Sequence, residues 1–148
     1  MKIKDRITGD MKDAMRGREQ LKVDTLRMVL SAIKNKEIET KSDLNEAGVI
    51  SIISTLVKQR KDAAELYRKG DRNDLADKEE TEIDMLKDYL PEEMPEEEVV
   101  KLVNDVILET GAASMADMGK VMQCVMAKVA GRAEGKVVNE LVKRQLAK

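Results

Sequence analysis

The chain has 148 residues, of which 38% are charged and 42% are hydrophobic, and its formal net charge is −2. It contains no histidine, which excludes Ser-His-Asp and Cys-His nucleophile systems and histidine metal sites. Its single cysteine, Cys124, excludes an internal disulfide or a zinc cluster. Because Tyr67 and Tyr89 are the only aromatic residues, the core must consist of Leu, Ile, Val, Met and Ala, with the ten methionines filling gaps between helices.

The same features bear on the location of the protein. Cys124 lies in an apolar stretch, and we interpret it as a buried, unreactive thiol. The residues from Met1 to Arg6 lack the apolar run of a signal peptide. No stretch approaches the roughly 20 apolar residues of a membrane span. We therefore expect a cytoplasmic protein with no membrane partner.

The charges are distributed unevenly along the chain. Residues 1–70 carry five more basic than acidic side chains, residues 71–98 carry ten more acidic than basic ones, and residues 111–148 carry four more basic ones. Most of these charges are expected to lie on solvated helix faces. The alternative is that the basic ends meet polyanions while the acidic segment faces solvent or a partner.

Apolar residues recur at helical intervals through the first ninety residues and predict four helices. The first begins near Ile3 and ends at Gly17, the second runs over about residues 21–40, and the third ends at Gly70. Asp74 is the predicted N-cap of the fourth helix. The exposed face of that helix is acidic, with Asp77, Glu79, Glu80, Glu82 and Asp84.

The segment from Leu90 to Pro95 contains both prolines of the chain and predicts a domain boundary. Pro95 is expected in the first turn of the next helix, where its missing N–H matters least. We therefore divide the chain into an N-terminal helical domain, residues 1–91, and a C-terminal domain, residues 95–148.

Three short helices are predicted in the C-terminal domain. The first ends at Gly111, the second is capped by Ser114 and closed by Gly131, and the third begins near Gly135. No segment shows the two-residue alternation of a strand bounded by turns. The predicted fold is thus all-α, with an N-terminal helical bundle followed by a small C-terminal three-helix domain.

Two glycine–lysine pairs distinguish this C-terminal domain. Gly119-Lys120 lies inside a predicted helix, and Gly135-Lys136 lies at the start of the next one. A glycine in a helix interior costs about 1 kcal/mol relative to alanine, and it is tolerated where another backbone comes close. Tight helix packing explains the glycines as well as an anionic ligand beside the lysines does. Further cations of this region are Lys128, Arg132, Lys143 and Arg144.

Several ordered blocks of sequence match a known family. They are LRMVLSAIKNKEIE (residues 26–39), KQRKDAAE (58–65), GDRNDLADKEETEI (70–83), YLP (89–91), DMGKVM (117–122) and GRAEGK (131–136). Over essentially its whole length the chain resembles the YqeY-like proteins, which are stand-alone relatives of the C-terminal region of GatB. GatB is a subunit of the glutamine-dependent amidotransferase that acts on mischarged aminoacyl-tRNA. Two residues depart from the family pattern, Pro95 at a Ser or Thr cap and Glu134 at an Asp.

The resemblance implies a tRNA-associated accessory protein, because the corresponding tail of GatB is thought to hold the tRNA body. It also brings the family label of carbon–nitrogen ligase with glutamine as amido-N-donor. We expect no cofactor and no metal, tRNA as the partner, and a monomer. The candidate nucleic-acid-binding residues are Gly119, Lys120, Lys128, Arg132, Gly135, Lys136, Lys143 and Arg144.

The sequence shows no catalytic site of its own. Cys124 has no histidine to activate it, and no serine lies in a glycine-rich elbow. A Gly-x-x-x-x-Gly-Lys-Ser/Thr loop for ATP phosphates is also missing. We therefore predict binding without catalysis. One alternative is a protein-interaction adaptor that uses the acidic helix 74–88 and the hinge between Pro91 and Pro95; another is an amidotransferase with a cryptic site.

Overall fold

The computed structural model describes residues 2–147, and these form seven α-helices, one short 3-10 helix and no strand. The helices are α1 (Ile3–Arg16), α2 (Gln20–Thr40), α3 (Glu46–Lys69), α4 (Asn73–Lys87), α5 (Glu96–Thr110), α6 (Met118–Val129) and α7 (Gly135–Leu146), with the 3-10 helix at Met115–Asp117. The prediction of an all-α fold is confirmed. Within the described residues, no helix combines the length and the apolar character needed to cross a membrane.

The chain divides after Leu90 into two compact units. The assignment of residues 1–91 and 95–148 to separate functional domains stays a prediction. In the first unit, α1 packs on α2 and α3 packs on α4. Five branched aliphatic side chains at its centre are almost or completely inaccessible to solvent, namely Ile7, Leu26, Ile33, Ile53 and Leu86. Burial of each such side chain contributes about 2 kcal/mol before conformational entropy is subtracted.

Glu37 ties three parts of the first unit together. Its carboxylate accepts a hydrogen bond from the Leu44 amide at 2.9 Å and pairs with the Lys4 ammonium at 3.0 Å. The Leu44 amide, followed by Lys4, lowers the pKa of Glu37. Because Lys4 belongs to α1 and Leu44 to the α2–α3 connection, this one carboxylate fixes both against α2.

Tyr89 performs the same role at the end of α4. Its side chain is buried, and its hydroxyl donates a hydrogen bond of 2.5 Å to the Asp10 carboxylate. The Arg6 guanidinium lies 5.2 Å from the centre of the Tyr89 ring, within cation–π range. Burial and the Asp10 carboxylate raise the pKa of the Tyr89 hydroxyl. The residues that follow α4 are thereby held on α1.

The second unit is built from α5, α6 and α7 around a valine-rich core. The side chains buried in it are Val99, Val103, Val106, Val121, Val125, Val129, Val138, Leu141, Val142 and Leu146. The segment before α5 is joined to the α6–α7 loop by two hydrogen bonds. The Met94 amide donates to the Arg132 carbonyl at 2.7 Å, and the Arg132 Nε donates to the Glu92 carbonyl at 3.0 Å.

Three predicted helix starts are wrong. Asp74 is not an N-cap, since Arg72 occupies that position and Asp74 lies in the first turn of α4. Pro95 precedes α5 with an extended ψ of 147° and does not belong to its first turn. Ser114 does not cap α6, because the 3-10 helix comes between them and α6 begins only at Met118. In that turn the Asp117 carboxylate accepts a hydrogen bond from the Ala113 amide at 3.0 Å.

The methionines do not form the core. Among the described residues, every buried aliphatic side chain is Ile, Leu, Val or Ala, and methionines such as Met11, Met122 and Met126 lie partly buried at its edges. Met15 is 51% exposed. Branched side chains with few rotamers fill the contacts between helices, which leaves the flexible thioethers at the rim. Cys124 is also half-buried. We expected a fully buried thiol, so this expectation is wrong.

Candidate nucleic-acid interface

The first glycine–lysine pair lies at the start of α6. Gly119 is the second residue of that helix, so it does not occupy a helix interior as predicted. Gly119 and Lys120 are both exposed. A Cβ atom placed on Gly119 would have no described atom within 4 Å apart from the backbone of its own helix and neighbours. Packing inside the unit therefore does not require a glycine here.

The second pair lies at the start of α7. Gly135 is the first residue of the helix and is exposed together with Lys136. A Cβ atom on Gly135 would meet only the Met126 methyl carbon, at an ordinary contact distance of 3.8 Å. The Val138 amide donates to the Glu134 carbonyl at 3.0 Å, so the preceding amides have no partner within the helix. These amides and the helix dipole contribute positive potential at the start of α7, where the N-cap residue Glu134 contributes a negative charge.

Lys128 and Arg132 are engaged within the second unit. The Lys128 ammonium lies 2.9 Å from the Glu109 carboxylate of α5. Arg132 is half-buried, and its Nε is bonded to the Glu92 carbonyl as described above. Both cations thus have a structural explanation, and Glu109 offsets the charge of Lys128.

Lys143 and Arg144 lie at the opposite end of α7 from Gly135. They occupy its last turn, where cations interact favourably with the helix dipole. Lys136 and Lys143 are seven residues apart and share one exposed face, because two helical turns separate them. Glu140 is exposed on the same face between them and reduces its net charge.

The two glycine–lysine pairs are not adjacent. Gly135 lies near Met126, and Gly119 is seven residues before Met126, about 10 Å along α6. A small anion could not contact both pairs, whereas a polymer of phosphates could span them. Lys120, Lys136, Lys143 and Arg144 are exposed and form no ion pair within the described residues. Lys128 is exposed but paired with Glu109, and Arg132 is half-buried.

The ion pairs between α3 and α4 were not predicted from the sequence. Arg68 contacts Asp77 at 3.0 Å and Glu80 at 2.9 Å, and Arg60 contacts Glu82 at 3.1 Å. Three of the five carboxylates on the predicted acidic face are thus paired with α3. The turn at Gly70 and Asp71 between two predicted helices was a signal for this pairing, since it makes the helices antiparallel neighbours.

Comparison with known proteins gives the family. The model of the Yqey-like protein family matches residues 4–146. The chain belongs to the YqeY-like family. The resemblance stated from the sequence blocks is thereby confirmed, and it covers nearly the whole chain.

Curated relatives of this YqeY-like protein include proteins from yeasts. The chain is 40% identical over 116 residues to "Altered inheritance of mitochondria protein 41, mitochondrial" of Vanderwaltozyma polyspora, covering 74% of this chain and 63% of the relative. It is 44% identical over 82 residues to the protein of the same name from Lachancea thermotolerans, covering 55% of this chain and 44% of the relative. The protein of that name from Kluyveromyces lactis is 40% identical over 104 residues, which cover 66% of this chain and 56% of the relative. The chain thus spans less than two thirds of the length of these relatives.

These names contradict the expected cytoplasmic location, because the relatives are named as mitochondrial proteins. The expectation rested on one cysteine and on a missing signal-peptide pattern. A lone cysteine excludes an internal disulfide, but it does not distinguish between compartments in which thiols stay reduced. The inference from composition to location was therefore wrong.

Proposed function

We propose that this YqeY-like protein is a tRNA-associated accessory module, comparable to the tRNA-holding tail of GatB, and that it performs no amidation chemistry alone. The observation that carries the proposal is the pair of exposed glycine–lysine sequences at the starts of α6 and α7. Neither glycine is needed for packing within the unit. A close approach by an external backbone would explain why both positions lack a side chain.

Phosphate is the anion that these positions suit. A helix start offers backbone N–H groups to an anion, and the lysine beside it adds a positive charge. The second unit has no aromatic residue on which a base could stack. Recognition would therefore depend on the shape and phosphates of the RNA. The link to glutamine-dependent amidation of aminoacyl-tRNA rests on the resemblance to GatB.

The test is tRNA affinity as a function of salt for the double variant Lys120→Ala/Lys136→Ala. We expect weaker binding and a log–log salt slope smaller by about two, since each phosphate contact contributes about 0.9. The matched control is Lys101→Ala/Lys128→Ala, which removes the same charge from the same unit. Lys101 is exposed on α5, and Lys128 is already paired with Glu109. If both variants bind tRNA alike, the assignment of Lys120 and Lys136 is wrong.

A protein-interaction role for the acidic helix 74–88 is the alternative. The ion pairs from α3 to Asp77, Glu80 and Glu82 leave fewer carboxylates for a partner, so the structure favours it less. Recovery of one defined protein after nuclease treatment, together with no tRNA binding, would favour it over the tRNA proposal. An amidotransferase would release glutamate from glutamine in the presence of ATP and mischarged tRNA, which the purified protein alone should not do.

A further inference from the structure

A row of cations lies on α2. This helix belongs to the first unit and does not include the candidate positions Lys120 and Lys136 of the second unit. Arg27, Lys34 and Lys41 are spaced seven residues apart, and all three are exposed. Arg27 and Lys34 lie within α2, and Lys41 is the residue that ends it. Seven residues are almost two helical turns, so Arg27 and Lys34 share one face about 10.5 Å apart. Lys41 is the C-cap, with a left-handed backbone, and follows at the carboxyl end of the same helix. Ser31 and Ile38 are exposed on the same face.

The cations of this row are not neutralised within the described part of the chain. Arg27, Lys34 and Lys41 form no ion pair there, whereas the neighbouring carboxylates of α2 are engaged elsewhere. Glu37 pairs with Lys4 and Glu39 with Lys36, while Asp24 accepts a hydrogen bond from Gln20 at 2.7 Å. The Gln20 amide is neutral, so Asp24 keeps its negative charge about one turn before Arg27. Between Arg27 and Lys41 themselves, the two carboxylates of α2, Glu37 and Glu39, are both paired with lysines.

From this arrangement we propose that α2 is a docking surface for the phosphate backbone of double-helical RNA. The α2 basic stripe consists of Arg27, Ser31, Lys34, Ile38 and Lys41. Cations spread over about 21 Å along a straight helix cannot converge on one small anion, but they can contact successive phosphates of a polymer. Ser31 adds a hydroxyl of the kind that binds phosphate oxygens.

The composition of the stripe argues against other partners. An interfacial membrane helix must insert an apolar face, but the apolar face of α2 is buried in the core through Leu26, Val29 and Ile33. A protein interface usually depends on large apolar or aromatic anchors, and Ile38 is the one exposed aliphatic side chain of the stripe. Single-stranded nucleic acid is bound largely by aromatic stacking, which α2 does not offer.

The choice of RNA over DNA rests on the function proposed above, but the surface itself is independent of the tail. It would give the chain two phosphate-binding regions, one in each unit. Each region should contribute its own phosphate contacts to the salt dependence of RNA binding.

The experiment compares two triple variants of the full chain, Arg27→Gln/Lys34→Gln/Lys41→Gln and Arg16→Gln/Lys69→Gln/Arg72→Gln. The control removes the same charge from exposed lysines and arginines of the first unit that are paired with Asp13, Glu65 and Asp74. Binding is measured to a labelled RNA duplex of about 16 base pairs, the span that a duplex-RNA-binding domain covers. A DNA duplex of the same sequence and phosphatidylserine vesicles are measured in parallel, and thermal unfolding verifies the fold.

The stripe variant should lose at least about tenfold in RNA affinity at low salt, and its salt slope should fall by about three, while the control stays near wild type. Equal loss in both variants, or no loss in either, would overturn the proposal. So would an effect confined to vesicles or to DNA. The single variant Lys34→Gln, with an expected slope change of about one, repeats the test with the smallest perturbation. If Lys120→Ala/Lys136→Ala binds RNA like wild type but the stripe variant does not, the proposed site at Lys120 and Lys136 is wrong. The proposed RNA-binding surface on α2 is then supported separately.

Discussion

The α3–α4 pair and the α6–α7 pair use their cations in opposite ways. In the first pair, Arg60 and Arg68 contact carboxylates of the neighbouring helix at 2.9 to 3.1 Å. In the second, Lys120 and Lys136 are exposed beside glycines that no internal contact requires. A count of basic residues does not distinguish these two uses. The comparison teaches that only the neighbours of a cation decide whether its charge is available to a ligand.

The largest expected effect comes from breaking the Arg60–Glu82 pair. The two side chains are 12% and 14% exposed, and Arg60 also donates to the Leu56 carbonyl at 3.2 Å. Arg60→Ala should lower the free energy of unfolding by about 3 kcal/mol, because it leaves a largely buried carboxylate without a partner. The measurement is urea unfolding followed by circular dichroism.

The double variant Arg60→Met/Glu82→Leu is the control for that loss. It removes both charges and retains apolar volume, so it should be much more stable than Arg60→Ala. Both variants should bind tRNA as wild type does. A loss of tRNA affinity in a folded Arg60 variant would contradict the division between structural and available cations.

The next prediction concerns pH and Glu37. Its pKa is lowered by the Leu44 amide and by Lys4, so the charged form is favoured in the folded state. The stabilising contribution is therefore present above the ordinary glutamate pKa of about 4.3 and is lost as the pH falls through the lowered value. Glu37→Gln should have a lower unfolding temperature than wild type at pH 7, and the two should converge as the pH falls through the lowered pKa of Glu37. A constant difference across this range would contradict the assignment.

Gly119→Ala separates packing from ligand approach. No atom of residues 2–147 obstructs a methyl group there, and alanine is the better helix former, so stability should rise by about 0.5 kcal/mol. Affinity for tRNA should nevertheless fall if a phosphate backbone comes close to that position. Thermal unfolding and tRNA titration of the same sample give both quantities. If the variant is more stable but its affinity for tRNA is unchanged, Gly119 has no role in ligand binding.

The sequence predicted the helix boundaries that depend on the residues at the boundary itself. Gly17, Gly111 and Gly135 mark helix ends within one residue, and at Gly111 the reason is the left-handed φ of 67° that glycine adopts without strain. The start of α6 was missed because Ser114 has the chemistry of a cap but initiates a 3-10 turn. This miss moved Gly119 from a helix interior to a first turn. The pairing of Lys128 with Glu109 joins residues of different helices, and no local pattern encodes such a contact.

The smallest expected effect comes from converting a paired cation into an available one. Glu109→Gln removes the partner of Lys128 at an exposed site, so stability should change by less than about 1 kcal/mol. If pairing is what withdraws Lys128 from a ligand, this variant should bind tRNA more tightly, with a salt slope larger by about one contact. The double variant Glu109→Gln/Lys128→Gln should return to the wild-type slope, since the released cation is gone. If the gain in tRNA affinity persists in the double variant, loss of a carboxylate strengthens binding and release of Lys128 does not. The difference between the two helix pairs would then be explained by net charge and not by the pairing of individual cations.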